Sequence, residues 1–577
     1  MIEPEATATG ASVAADLAAR PWLRAYPAGV DWHGAIDDRP LPERFFEAAD
    51  TYADHPCLEF LGKRWTYAEI RGLVVRAAKG LQQIGVGPRS RVGLYLPNTP
   101  YYVVMYFAAL SVGATVVNFN PLYAKEEVAW QIRDSGTTVL VTLDVDVLWS
   151  KVLGPLSEGR LSTVILCRMA GALPFPKNLL FPILRRKDMA KDVRRPSVLG
   201  FDRLIANDGR SDLPKIDPRQ PALFQYTGGT TGTPKAAVLS HGAIAANASQ
   251  VRMLMPTLEL GAERFLGVLP LCHVFAMTAV MNIALTTGSL IVLLPRFDLQ
   301  QTLATLARMR PTIFPGVPAV YAAINEAKGV GRYDLRSLKF CISGGAPLPV
   351  EIKRRFESLT GCRLVEGYGL SECSPVAVCN PLLVDGREGS IGLPLPGTDV
   401  EIRSVDDPSR RLAIGEVGEV CIRGPQLMEG YWQKPEETAN TIRDGWLHTG
   451  DIGRMEADGY VFVVDRIKDV IFRGGYNVYP RVIEEAIYAH EHVAEACVVG
   501  VDDGVLGQVP KAYVRLIEGR QLSESDLRAF LKDRLSKLEM PREIEFRTEP
   551  LPKTRIGKPS KLALRGEQRE TSQRDTA

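Results

Sequence analysis

Between Tyr67 and Gly85 the stretch YAEIRGLVVRAAKGLQQIG places apolar residues three and four apart, the spacing of a helix that buries one face. Shorter apolar runs follow without that spacing: RVGLYLP, TVVNF, TVLVTL and STVILC. Helical stretches alternating with continuous apolar runs predict α/β layers built on mostly parallel sheets. From Phe265 to Pro295 there is no Asp, Glu, Lys or Arg, a stretch long enough to raise the question of a membrane span. It divides into FLGVLP, a turn with Pro270 and His273, AMTAVMNIALTTG and SLIVLLP, which predicts strand, helix and strand with both strands buried.

Further along the pattern changes twice. EVGEVCIRGP alternates with period two, the mark of a half-exposed strand, so an antiparallel β subdomain is expected near residues 415–425. After DGYVFVVDRIKD come a helix (PRVIEEAIYAH), strands (EACVVGV, KAYVRLI), a second helix and a Lys/Arg-rich end, a separate α+β module. The expected organisation is a tail at 1–40 draped over the body, a large domain at 41–465, a small module at 466–565 and a disordered end at 566–577. No fixed-period repeat is visible.

Composition narrows the class without naming it. The 577 residues suffice for roughly three or four domains of ~150 each. With 69 Lys and Arg against 67 Asp and Glu the net charge is +2, so no global field argues for nucleic acid. Nine cysteines lack C-x-x-C pairs, which favours free thiols over a zinc site. The N-terminus lacks a basic segment followed by an apolar one, so no signal peptide is expected and the chain reads as cytoplasmic.

Residues 226–241, YTGGTTGTPKAAVLSH, crowd four Thr and three Gly ahead of Lys235. Small residues let backbone N–H groups converge on an anion, and a lysine adds a point charge suited to phosphate. The stretch departs from G-x-x-x-x-G-K-[ST], because Thr233 and Pro234 precede the lysine. Apolar runs on both sides predict a turn between two strands, with Ser240 capping a following helix. A plain surface hairpin and a polyphosphate loop both fit this stretch.

Other polar or Gly-rich clusters accompany it: LPLCHVFAMT (269–278), CISGGAPLP (341–349), EGYGLSECSP (366–375), WLHTGD (446–451), VDRIKD (464–469) and LPKTRIGK (551–558). Together, in this order, they resemble the acyl-adenylate-forming superfamily of acyl-CoA synthetases, adenylation domains and luciferases. The wording VVNFNPLYAKEE, YGLSECSP, GSIGLPLPGT, GPQLMEGYW and GWLHTGDIG is similar to bacterial long-chain fatty acid–CoA ligases. The resemblance implies ATP and CoA as co-substrates, Mg²⁺ as cofactor and a small C-terminal domain that moves. Thr227, Gly228, Gly229, Thr230, Thr231 and Lys235 would hold the phosphates. Glu372 would carry Mg²⁺, with Thr230 as a second oxygen ligand. Ser371 stands where the family usually has Thr. Tyr368 would lie against adenine, with Glu366 and Gly367 flanking the nucleotide, and Gly345 and Ala346 walling the base and the acyl tunnel. Asp451 would bind the ribose hydroxyls and Arg466 the ribose or phosphate. His273 would guard the carboxylate end of the acyl pocket. Lys558 would bridge carboxylate and α-phosphate, although Pro559 departs from the family's pattern. Rotation about Lys468 would then exchange Lys558 for the face around Gly474 and Gly475, past which pantetheine enters.

The reaction expected is activation of a long-chain fatty acid to acyl-AMP, then transfer to CoA. Alternatives on the same scaffold are ligation of medium-chain, dicarboxylic or aromatic acids, or loading of a carrier protein; a relative that only binds lipid or nucleotide is the alternative from another class. A homodimer is compatible with the sequence. Segment 173–195, LPFPKNLLFPILRRKDMAKDVRR, interleaves Phe and Leu with seven Lys/Arg against two Asp, a net +5 that suggests peripheral contact with an anionic membrane.

Overall fold

The computed structural model describes residues 20–227, 234–553 and 559–567. The expected helix spans Tyr67–Gln83, and its start is fixed by a capping box in which Thr66 and Glu69 satisfy each other's backbone N–H groups. The apolar runs around it form the parallel part of an eight-stranded sheet. Its order is Gly430–Tyr431, Lys235–Ser240, Pro221–Thr227, Thr115–Asn118, Arg91–Tyr95, Val139–Leu143, Thr163–Cys167 and Val198–Gly200. The six strands from Pro221–Thr227 onward run parallel, while Lys235–Ser240 and Gly430–Tyr431 are added antiparallel at one edge.

The charge-free stretch behaves as strand, helix and strand. Arg264–Gly267 and Leu290–Leu293 are parallel neighbours in a nine-stranded sheet, joined by helical turns from Val274 to Thr286. Their side chains lie almost entirely within the main core. Among the described residues, no helix is long and apolar enough to cross a membrane.

The antiparallel subdomain is present, but its central strand is more buried than the alternation predicts. Gly418–Arg423 lies between Asp399–Arg403 and Trp446–Met455, and five of its six residues are buried. A strand paired on both edges and packed on the main core has no solvent face. The segment from Arg20 onward is also bound firmly. Trp22 is 1% exposed, Arg20 Nε pairs with Asp399 at 2.7 Å, and Trp32 O accepts a hydrogen bond from Gly397 N. Gly459 has φ +83°, and a Cβ there would run into the Trp22 backbone.

Beyond Arg466 a smaller domain has its own sheet, in which Ile471–Arg473, Tyr476–Val478, Gly507–Leu516 and Val493–Asp503 are joined by Glu543–Arg547. Its core of Ile471, Ile483, Ile487, Val498, Ala512 and Leu527 is distinct from the large one. Asp465, at the junction, accepts hydrogen bonds from Arg466 N and from Arg481 N in the first turn of the helix Pro480–Tyr488. The fold is therefore mixed α/β, with a large N-terminal domain and a smaller C-terminal one.

Candidate active site

The Thr/Gly-rich stretch is a hairpin connection. Thr227 and Lys235 are partners across antiparallel strands, and Thr227 Oγ1 donates to Lys235 O at 3.3 Å. Ser240 caps the next helix, His241–Met253, by accepting from Ala243 N at 3.2 Å. Gly228, Gly229, Thr230 and Thr231 lie outside the described residues. Lys235 places its ammonium 5.2 Å from the ring centroid of Tyr431, on the neighbouring strand. Tyr431 in turn donates its hydroxyl to Glu372 Oε1 at 2.7 Å. Burial, and then the Glu372 charge, push the Tyr431 hydroxyl up, so it remains a donor. The hairpin mouth and Glu372 thus meet on one aromatic side chain.

Glu372 sits in the short turn Ser371–Cys373, directly after strand Leu364–Gly369, and both Ser371 and Glu372 are half-buried. Among the described residues nothing hydrogen-bonds to its Oε2. A half-buried carboxylate with one oxygen fixed and the other available suits a hard divalent cation such as Mg²⁺.

A second cluster gathers around Asp451. Asp451 and Arg466 are direct partners across strands Trp446–Met455 and Val461–Arg466. Arg466 Nε meets Asp451 Oδ1 at 2.9 Å, while Tyr368 donates its hydroxyl to Oδ2 at 2.5 Å. The Asp451 charge, partly countered by burial, holds the Arg466 pKa above its ordinary value. Burial and Asp451 likewise raise the Tyr368 hydroxyl. Both Asp451 oxygens already serve protein donors, so a ribose would share their remaining lone pairs.

One residue that sequence reasoning missed supports this cluster. Glu419, on the adjacent strand, accepts from Gly450 N at 2.9 Å and bonds His448 Nδ1 at 2.7 Å, at a point where the strand register shifts. Glu419, Cys421 and His448 are a group that could in principle hold a metal ion. Their spacing is that of hydrogen bonds, with Cys421 Sγ 3.4 Å from His448 Nδ1.

Both clusters draw on the parallel pair Phe340–Ser343 and Leu364–Gly369, since Tyr368 lies on the second strand and Glu372 in the turn after it. Small residues are required here: a Cβ at Gly367 would stand 3.3 Å from Ile342, and one at Gly344 3.0 Å from the Phe275 ring. Gly345 turns the chain at φ +78° before the half-buried Ala346. Glu366 is buried and accepts from Leu348 N at 3.2 Å, anchoring that turn. Burial raises its pKa to about 7, against the opposing charge of Arg481 from the C-terminal domain. His273 begins the short helix Val274–Ala276, its Nδ1 accepting from Phe275 N at 3.4 Å. It therefore adjoins the residue that packs on Gly344.

On the C-terminal side, Lys468 lies in the turn Ile467–Asp469, and burial followed by Arg466 lowers its pKa. Gly474 and Gly475 turn the exposed hairpin between Ile471–Arg473 and Tyr476–Val478, with φ +57° and +83°. Lys558 lies outside the described residues.

Relatives match over almost the full chain. A long-chain-fatty-acid–CoA ligase of Bacillus subtilis (strain 168) is 40% identical over 555 residues, covering 96% of this chain and 98% of that protein. A feruloyl-CoA synthase of Amycolatopsis sp is 35% identical and covers 88% of this chain and 94% of its own. Among solved structures, ATP-bound MatB from Rhodopseudomonas palustris superposes with a TM-score of 0.80 at 26% identity, over 92% of this chain and 98% of that one. Residues 45–432 match the AMP-binding enzyme family and residues 482–558 the AMP-binding enzyme C-terminal domain, so the chain belongs to the AMP-binding enzymes.

Proposed function

We propose that this chain joins a long-chain fatty acid to CoA in two half-reactions. In the first, a carboxylate oxygen bonds to the α-phosphorus of ATP as the bond to pyrophosphate breaks, giving acyl-AMP. In the second, the CoA sulfur bonds to the acyl carbon, AMP departs, and the thiol proton passes to solvent. The observation that supports this most is the meeting of Lys235 and Glu372 on Tyr431, since a cation and a carboxylate on one short line suit a polyphosphate.

Each residue has a part in this reading. Thr227, the loop from Gly228 to Thr231, and Lys235 hold the β- and γ-phosphates. Glu372, with Thr230, would hold Mg²⁺, which when bound neutralises phosphate charge. Tyr368, fixed at its hydroxyl by Asp451, offers a ring face to adenine, while Glu366, Gly367, Gly345 and Ala346 line the pocket. Asp451 and Arg466 face the ribose. His273 positions the carboxylate, and Lys558 draws it onto the α-phosphate. The C-terminal domain, residues 466–565, then turns about Lys468 and brings Gly474 and Gly475 to the thiol's path. Contact with an anionic membrane through 173–195 belongs to the same reading.

A panel of carboxylic acids, assayed for AMP with and without CoA, tests it. Long-chain acids should give AMP in a CoA-dependent way. A preference for ferulate, in line with the feruloyl-CoA synthase relative, would replace the long-chain assignment. AMP release indifferent to CoA would instead favour delivery to a carrier protein. Lys558→Ala should slow acyl-AMP formation by ~100-fold or more while sparing thioester formation from supplied acyl-AMP; equal losses would defeat the two-position scheme.

A further inference from the structure

The helix Lys177–Leu184, KNLLFPIL, has no buried residue. Its large side chains face away from the body: Leu179 is 62% exposed, Ile183 71% and Leu184 76%, and Phe175 just before it is 79% exposed. Positions 179 and 183, like 180 and 184, are one turn apart, so they form a continuous stripe. Phe181 is the side chain that turns inward and packs on the core. Isolated apolar residues on a surface need no explanation, but a contiguous stripe marks a contact face.

Charge says what kind of contact. Arg185, Arg186 and Lys187 follow the stripe directly, and Lys191, Arg194 and Arg195 continue it. Asp188 pairs with Arg185 at 3.1 Å, whereas Arg186, Lys187, Lys191 and Arg194 have no acidic partner among the described residues. At the other end, Lys177 Nζ donates to Leu61 O and Lys63 Nζ to Gly171 O, which seats the helix beside the hairpin turn at Leu61 and Gly62. The segment is thereby held on the large domain at both ends, since Ala190 N bonds Asp144 O and Trp149 Nε1 bonds Lys191 O.

We propose that this helix is an interfacial anchor. Phe175, Leu179, Ile183 and Leu184 enter the acyl boundary of an anionic bilayer, while the cations after Leu184 rest on its headgroups. An apolar stripe edged by unpaired cations is complementary to anionic lipid and poorly suited to a purely apolar protein groove. The anchor's purpose rests on the ligase reading, because a long-chain acid is dissolved in such a bilayer; its existence does not.

The test is co-sedimentation of the full chain, without ATP, on vesicles of phosphatidylcholine alone or with one-third phosphatidylglycerol. Binding should require the anionic lipid and weaken with salt. Arg185→Ser, Arg186→Ser and Lys187→Ser together should reduce it about a hundredfold. Leu179→Ser, Ile183→Ser and Leu184→Ser together should reduce it at least ~10-fold. Both triple variants should retain activity on an acid supplied in detergent. Failure of the natural chain to sediment, or variants that bind as it does, would overturn the anchor. So would a doubled solution mass that the Leu/Ile variant abolishes, which would assign the face to a second copy. Vesicle binding by a chain that activates no acid would sink the ligase reading and leave the anchor standing.

Discussion

Two regions reverse the ordinary sorting of side chains, and they do so in opposite directions. At the candidate site and the domain junction behind it, Glu366, Asp451 and Arg481 carry ionisable groups out of water. On the helix Lys177–Leu184, Leu and Ile are carried into it. These buried groups have partners within the chain: Leu348 N for Glu366, Tyr368 and Arg466 for Asp451, and Glu485 for Arg481. Bonds of this kind offset part of the cost of burying polar groups, though not all of it for an ionised carboxylate. The apolar stripe has no such closure. An inversion completed inside the molecule serves a site; one left open points to something outside it.

The sharpest way to break this comparison is at Glu372. Glu372→Gln should lower acyl-AMP formation, read as pyrophosphate release, by ~100- to 1000-fold. Tyr431→Phe, which removes one hydrogen bond to the same carboxylate, should cost only about 10-fold. Equal losses would mean that Tyr431 does more than hold Glu372 in place.

A middle-sized effect is expected at Glu366. Burial raises its folded pKa to about 7 from an ordinary value of 4.5, so the folded chain binds that proton more tightly than the unfolded chain. Stability from this group is complete below about pH 4 and is lost as pH rises through 7. Glu366→Gln should therefore stabilise by about 1 kcal/mol at pH 5 and about 3 kcal/mol at pH 8. Urea midpoints at the two pH values measure the gap, and a gap that fails to widen would place a stronger cation beside Glu366 than Arg481.

The smallest effect belongs to the stripe. Leu179→Ser with Ile183→Ser should change the free energy of unfolding, read from urea titration, by no more than ~0.5 kcal/mol in the absence of lipid, because nothing is unpacked. A loss of several kcal/mol would show that the stripe already packs against this chain.

Much of the fold was readable because its signals are local. Ser240 caps the helix it was expected to cap, and the residues from Phe265 to Pro295 separate into buried strands and helical turns as their breaks suggested. The alternation in EVGEVCIRGP misled, since a period of two records side-chain direction and not what covers each face. At the site, motif residues carry chemical roles, but their supports are distant. Tyr431 is 59 positions from Glu372 and reaches it through edge-strand pairing with Ala237. Glu419 is 31 positions from the Gly450 amide it holds. Both lie in stretches that stand out, Glu419 in EVGEVCIRGP and Tyr431 in GPQLMEGYW, but nothing local says which distant residue either one holds, so only the folded chain brings that role forward. The packing of Trp22 was equally silent, because a tryptophan in a weakly patterned segment has no period to betray its burial.

That tryptophan has a mechanical consequence. By wedging against Gly459, just ahead of the strand that ends at Arg466, it leaves the approach to the small domain no slack. Any movement of the small domain that began ahead of Val461 would have to unseat Trp22, so this one side chain, far off in sequence, marks where such movement could start.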